Sequence, residues 1–208
     1  MYTKCLAFAG IAFACCILLA RIYYLILIKR NKPRKGSCPV KTMIILGSGG
    51  HTAEMLRIVK HFDLTNYSPR IYVHAQTDKL SGEKVRDLES GNQDYKIVEI
   101  YRSREVRQSY FTSVWTTVLS TLNCFPVLWR EDPELILCNG PGTCVPLCAI
   151  AFLFKALCIG QSVVVFMESF CRVKTFSLTG KILYYLVDHV IVQWAYLSKP
   201  VYSRSVFL

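Results

Sequence analysis

The hydropathy pattern divides the chain into an unbroken apolar stretch, a basic connector, and a longer region in which short apolar runs alternate with helical patterns. The stretch "CLAFAGIAFACCILLARIYYLILI", residues 5–28, carries Arg21 as its only charge. It is long enough to cross a bilayer, which takes ~20 apolar residues, and Arg21 is placed to snorkel from near one end. The connector "NKPRKGSCPVK", residues 31–41, contains proline and glycine and sets the start of the folded domain near Thr42. Beyond it, "TMIILG" (42–47), "RIYVHAQ" (70–76), "YKIVEIY" (95–101), "ELILCNG" (134–140), "SVVVFME" (162–168) and "HVIVQW" (189–194) read as strands.

Helical patterns fill the gaps between these strands. Residues 52–62 put Met55, Leu56, Val59 and Phe62 on one face. Ser81 is the expected cap of a short helix ending at Leu88, and a long helix from Tyr110 to about Cys124 is expected to stop at Pro126. Two further helices start near Thr143 and Leu178. Residues 144–167 are apolar enough to suggest a second span, but Lys155 and the Gly160-Gln161-Ser162 break favour a helix followed by a strand. Strands alternating with helices predict an α/β fold, a Rossmann-like, doubly wound, mostly parallel sheet preceded by one transmembrane helix. The expected divisions are an anchor over 1–28, a linker over 29–41 and a domain over 42–208.

Charge sharpens this picture. The chain has 25 basic and 14 acidic residues, a formal net charge of +11. Lys29, Arg30, Lys32, Arg34, Lys35 and Lys41 follow the apolar stretch, against Lys4 alone before it. That placement points to a membrane surface in preference to nucleic acid, and by the positive-inside rule it places the domain in the cytosol. A cleaved signal peptide fits worse, because the apolar run is too long and the basic flank is on the wrong side. Asn66-Tyr67-Ser68 is a glycosylation acceptor pattern that this topology expects to be unmodified. The 10 cysteines include no C-x-x-C pair and no zinc spacing. They read as small buried hydrophobes, reduced in a cytosolic domain, and no metal or cofactor is expected.

The candidate chemistry begins at "GSGGHT", residues 47–52, between the first strand and its helix. Gly47, Gly49 and Gly50 would let backbone N–H groups approach an anion, and the helix N-terminus adds partial positive charge; a diphosphate is the natural guest. A dinucleotide fits poorly. Thr52 stands where a third glycine belongs, no acidic residue ends the second strand, and no Y-x-x-x-K occurs. His51, at the mouth of the turn, reads either as a structural helix cap or as a proton acceptor or phosphate donor. Glu54, three residues on, could orient it or serve the helix dipole.

A second glycine turn, Asn139 to Thr143, ends the fourth strand, with Gly140 and Gly142 open to a ligand and Thr143 available as a cap. Glu168 and Arg172 end the fifth, either completing the cleft or forming a structural ion pair. Arg102, Arg104 and Arg107 read as contacts for lipid headgroups or a diphosphate, or as a solvated basic loop. Phe111, Trp115, Val118, Leu122, Phe125 and Trp129 form an apolar stripe opposite Thr112, Thr116, Ser120 and Thr121. Such a stripe is ordinarily core, yet its aromatic weight and lack of charge suit a bilayer interface.

"GSGGHTAEML", "RSREVRQSY", "PELILCNGPGTCVPLC", "ESFCRVKTFSLTGKILY" and "VIVQW" together resemble the asparagine-linked-glycosylation protein fourteen family, and more distantly the N-terminal, acceptor-binding half of MurG. The resemblance implies half of a GT-B glycosyltransferase at the endoplasmic reticulum membrane. It implies a membrane-anchoring, acceptor-binding subunit that adds the second N-acetylglucosamine to GlcNAc-diphosphodolichol, as a β-1,4-N-acetylglucosaminyltransferase inactive alone. The implied partner is an asparagine-linked-glycosylation protein thirteen homologue, which supplies the UDP-sugar site. The expected catalytic base is His51 or a group of the partner chain. Motif by motif, the resemblance maps to the first turn, Gly47, Ser48, Gly49, Gly50, His51 and Thr52, and to the second, Asn139, Gly140, Pro141, Gly142 and Thr143; these, with Arg104, are the expected site of the acceptor diphosphate. The block after the fifth strand maps to Glu168, Ser169, Phe170 and Arg172, and Glu168, Ser169, Arg172 and Trp194 are expected at the cleft or the subunit interface. The tail "AYLSKPVYSRSVFL" departs from the family at Ala195, where proline is expected. A pure membrane scaffold and a self-sufficient enzyme are the competing readings.

Overall fold

The computed structural model describes residues 2–27, 39–102, 110–140, 143–198 and 205–207. The elements run α1 (Tyr2–Leu27), β1 (Thr42–Ile45), α2 (Gly50–Val59), β2 (Arg70–Ala75), α3 (Lys79–Leu88), β3 (Tyr95–Ile100) and α4 (Tyr110–Glu131). They continue through β4 (Leu135–Asn139), α5 (Cys144–Ala156), β5 (Val163–Met167), α6 (Leu178–Leu183), β6 (His189–Val192), a 3₁₀ turn (Ala195–Ser198) and β7 (Ser205–Phe207).

The described strands form one sheet in the order β3-β2-β1-β4-β5-β6-β7, every neighbouring pair parallel. Alternation along β1 explains the layering. Met43 and Ile45 face a core with Cys124 and Leu128 of α4 and Leu147 and Cys148 of α5. Ile44, with Leu46 just beyond the strand, faces Met55, Leu56 and Val59 of α2 and Val85 of α3. Both faces of β1 are covered, as a central parallel strand requires. The order reverses between β1 and β4. Crevices at such a switch point, outside the carboxyl ends of the strands, are where doubly wound sheets bind ligands.

Several expectations are corrected. Pro126 does not close α4, which runs on to Glu131. Cys124 and Leu128 are buried on either side of it. Phe125 and Trp129 stack 6.3 Å apart and both meet Phe154 of α5 edge-on. Packing on that face outweighs one missing backbone hydrogen bond. The cap of α3 is Asp78, whose carboxylate accepts from the Ser81 backbone N–H and hydroxyl. α2 starts two residues earlier than expected, which puts His51 on its first turn.

Residues 144–167 are a helix and a strand, and Lys155 is buried in a 2.5 Å ion pair with Asp188. Among the described helices, α1 is long and apolar enough to cross a membrane, over Phe8–Ile26. Arg21 has a partner within the fold. Its Nη2 donates to the Lys155 carbonyl at 3.1 Å, at the C-terminal end of α5, where carbonyl dipoles favour a cation.

The stripe on α4 is not core. Trp115 is 67% and Trp129 60% exposed, with Val118 and Leu122 also open, while Ser120 on the other face donates to the Tyr101 carbonyl. The Phe111 side chain lies outside the described residues. At the opposite end of the sheet, Arg70 is buried against Glu89, Nε to Oε1 at 2.6 Å and Nη2 to Oε2 at 2.9 Å. The Tyr72 hydroxyl and Asn92 amide also donate to that carboxylate.

Candidate functional site

At the switch point lies an open cleft of about 460 Å³, lined by Gly50, His51 and Glu54 of α2, by Gly140 after β4, and by Glu168, Ser169, Arg172 and Ser177 after β5. The two glycine turns meet here, but the glycines serve different ends. Gly49 adopts φ +67 as the N-cap of α2, and a Cβ on Gly49 or Gly50 would meet nothing within 4 Å. This side of the turn is open, and Gly49, as the N-cap, has no side chain to bond the first N–H groups of α2. Unpaired N–H groups at a helix N-terminus attract an anion.

Gly47 and Gly140 instead make room for His51. A Cβ on Gly47 would lie 2.9 Å from His51 Cβ, and one on Gly140 (φ +90) would lie 2.9 Å from His51 Cγ. His51 therefore packs against both glycines, its Cβ over Gly47 and its Cβ, Cγ and Cδ2 over Gly140, and is 29% exposed, with Nδ1 3.6 Å from Glu54 Oε2. Nδ1 is buried and has no hydrogen-bond partner.

Thr52 does not reach the cleft. It is buried, and its hydroxyl donates to the Gly47 carbonyl and bonds Ser81 Oγ at 2.6 Å, so that it pins the turn to α3. Ser48 is exposed and accepts from Arg102 Nη2 at 3.1 Å, which brings one basic side chain from the end of β3 beside the open turn. Asn139 is fully buried behind the cleft, where its Nδ2 donates to Glu54 Oε2 at 2.9 Å. The Thr143 side chain does not cap α5; its hydroxyl donates to the Leu46 carbonyl at 3.1 Å and ties α5 to β1. Arg104, Arg107 and Gly142 lie outside the described residues.

After β5, Glu168 forms no ion pair with Arg172. Its Oε1 accepts from the Ser169 N–H, and Oε2 accepts from the Ser177 N–H and hydroxyl. The carboxylate folds the 169–177 loop back onto the cleft and leaves Arg172 exposed on its rim. Ser169 Oγ donates to Glu54 Oε1 at 3.2 Å. Trp194 is not a cleft residue. Its Nε1 donates to the Phe170 carbonyl at 2.8 Å, and the two rings lie 5.1 Å apart on the outer side of the loop. Neither the Ser177 lining nor the clamp on Glu54 has a sequence signal, since the partners lie far apart in the chain.

Beneath the cleft, Cys138 Sγ and Cys148 Sγ are 3.6 Å apart and the Cys144 thiol donates to the Asn139 carbonyl. Burial, reinforced by Cys144 and Cys148, holds the Cys138 thiol well above its ordinary range, and burial pushes Cys124 up to about 12. The Cys138 and Cys124 thiols stay protonated and are poor nucleophiles. Among the described residues, no three His, Cys, Asp or Glu side chains are grouped to hold a metal ion.

A family model described as "Oligosaccharide biosynthesis protein Alg14 like" matches residues 42–208. The rat protein named UDP-N-acetylglucosamine transferase subunit ALG14 is 44% identical over 92% of this chain and 91% of its own length. The human protein of that name is 43% identical over 92% and 90%, and that of Candida albicans 37% identical over 96% and 93%. Among solved structures, MurG of Acinetobacter baumannii superimposes with a TM-score of 0.54 at 15% identity, over 76% of this chain and 43% of MurG. The glycotransferase of kitacinnamycin superimposes with a TM-score of 0.52 at 10% identity, over 83% of this chain and 51% of that one. The chain thus spans about half or less of either glycosyltransferase structure, and at these identities the likeness is one of fold.

Proposed function

The chain belongs to the Alg14-like family of oligosaccharide biosynthesis proteins, and we propose that it is the membrane-anchoring, acceptor-binding subunit of a UDP-N-acetylglucosamine transferase. On this reading the acceptor is GlcNAc-diphosphodolichol, the product carries a second, β-1,4-linked GlcNAc, and the chain is inactive alone. The observation that carries the proposal is the cleft at the switch point, where the uncapped, open start of α2 and the glycine-packed His51 share one wall.

The first N–H groups of α2 would hold the acceptor diphosphate, with Arg102 beside Ser48 and Arg172 on the opposite rim supplying counter-charge. His51 would accept the proton of the attacking 4-hydroxyl as it bonds to the anomeric carbon with inversion. The nucleotide-sugar site would come from a soluble partner of the asparagine-linked-glycosylation protein thirteen type. A chain spanning 43% of MurG is consistent with a second domain supplied in trans. Phe170, Trp194 and Tyr196, at the outer side of the cleft loop, are the docking candidates.

The exposed stripe of α4 would rest on the bilayer that α1 spans, which brings the cleft to the lipid-linked acceptor. The basic flank after α1 favours the cytosolic face of the endoplasmic reticulum.

The test is turnover by the reconstituted pair with His51→Ala. Loss of a general base costs ~10²–10⁴-fold, so kcat should fall by at least about 100-fold while the partner still co-purifies. A scaffold that only recruits the partner would keep full turnover.

A further inference from the structure

We propose that Glu54 is a positioning residue for His51: its carboxylate accepts a hydrogen bond from Nδ1–H and leaves Nε2 as the unprotonated nitrogen facing the cleft. The inference rests on the reading of His51 as the base and extends it to the group that would set its tautomer. Neither histidine nor glutamate alone would carry this, since a glutamate on a first helical turn also serves the dipole. The surroundings of Glu54 separate the two roles.

Its carboxylate is not left to swing in solvent. Asn139 Nδ2, at the end of β4, donates to Oε2 at 2.9 Å, and Ser169 Oγ, after β5, donates to Oε1 at 3.2 Å. Two strand ends thus clamp a side chain of a third element, although surface solvation alone would satisfy it. The clamped Oε2 is the atom nearest His51, 3.6 Å from Nδ1. Nδ1 is buried and otherwise unpartnered, which is costly unless a partner is provided.

The ring's Cβ, Cγ and Cδ2 abut the space over Gly140. With Nδ1 buried and Cδ2 against Gly140, Nε2 is the ring nitrogen left to face the cleft. Catalytic hydrogen bonds are often long in free enzymes and tighten in the substrate complex, and a 3.6 Å separation closes with a small ring rotation.

In the reaction, the acceptor hydroxyl proton passes to Nε2 and its oxygen bonds to the anomeric carbon. The bond from that carbon to the nucleotide diphosphate breaks, with its electron pair on the departing diphosphate oxygen. The imidazolium that forms lies against the half-buried Glu54 carboxylate, as in other histidines oriented by an acid. Glu54 itself stays ionised and touches no reacting atom.

The experiment compares Glu54→Gln, Glu54→Asp, His51→Ala and the Glu54→Gln/His51→Ala double variant in the reconstituted two-chain transferase. Glutamine keeps the size and an acceptor for the clamps but not the charge. Expected are a kcat loss of roughly 10- to 100-fold for Glu54→Gln, as for loss of a histidine's orienting partner elsewhere, with the acceptor KM within about threefold of wild type because the lost interaction acts on turnover. Partial recovery is expected in Glu54→Asp, and the double variant should be no slower than His51→Ala. Should Glu54→Gln fail to fold, Ser169→Ala removes one clamp on Glu54 together with the acceptor of the Cys171 N–H, and a kcat loss of about threefold to tenfold, the worth of one hydrogen bond, is expected with a small fall in Tm.

A Glu54→Gln enzyme near wild-type kcat, or losses that multiply in the double variant, overturns the positioning role and leaves His51 as base. An active His51→Ala enzyme removes His51, and Glu54 with it.

Discussion

Gly140→Ala isolates the packing of His51 from the rest of the site. The new Cβ would stand 2.9 Å from His51 Cγ and 3.1 Å from Cδ2. Ordinary carbon contacts are ~3.5–4.0 Å, so the ring must retreat by roughly 0.6–1.1 Å. Gly140 also has φ +90, where an L side chain costs about 1–2 kcal/mol, and pushing His51 off its rotamer adds ~0.5–1.5 kcal/mol. A loss near 2–3 kcal/mol corresponds to a Tm lowered by roughly 5–10 °C for a chain of this size. Displacement of a catalytic group by ~1 Å can cost ~100-fold, so kcat of the reconstituted transferase should fall about 10- to 100-fold.

Gly91→Ala is the control. Gly91 has φ +92, but a Cβ there meets nothing within 4 Å, so it carries a like backbone strain at the α3–β3 turn with no contact to His51. It should lower Tm by a smaller amount and leave kcat intact. Thermal unfolding and steady-state assays of both variants decide. Equal kcat values for Gly140→Ala, Gly91→Ala and wild type would refute the claim that the glycine wall places the base.

Two further outcomes follow from elsewhere in the fold. Burial raises the Glu89 carboxyl, but hydrogen bonds from Arg70, Tyr72 and Asn92 outweigh it and hold the group below its ordinary range. The pair therefore stabilises the fold at neutral pH, and that contribution disappears as pH falls through the depressed pKa; Glu89→Gln should cost about 3–5 kcal/mol by stranding Arg70 and should flatten the acid side of a Tm-against-pH curve. In single-tryptophan variants reconstituted in bilayers, brominated lipid should quench Trp115 and Trp129 but spare Trp194, and unquenched Trp115 and Trp129 would remove α4 from the bilayer.

The pattern of the chain conveyed the architecture well because parallel strands buried on both faces are continuous apolar runs, as in "TMII" and "VVVFM". The glycine turns were visible for the same local reason. What escaped was nonlocal. Pro126 reads as a stop until Phe154, far along the chain, is seen packing against Phe125 and Trp129. Arg21 reads as a charge without a partner until α5 offers it a terminal carbonyl. Asn139 and Thr143 share one turn in sequence, yet one holds Glu54 and the other holds Leu46. Ser81 and Asp78 were separable only by geometry, since both residue types cap helices.

The most direct test is binding by the purified chain without its partner, in lipid nanodiscs, of a short-chain GlcNAc-diphospholipid against UDP-N-acetylglucosamine. An acceptor-binding half should retain the diphospholipid, lose most of that affinity for the monophosphate analogue, and ignore the nucleotide sugar. Retention of UDP-N-acetylglucosamine, or indifference to the diphospholipid, would contradict the account.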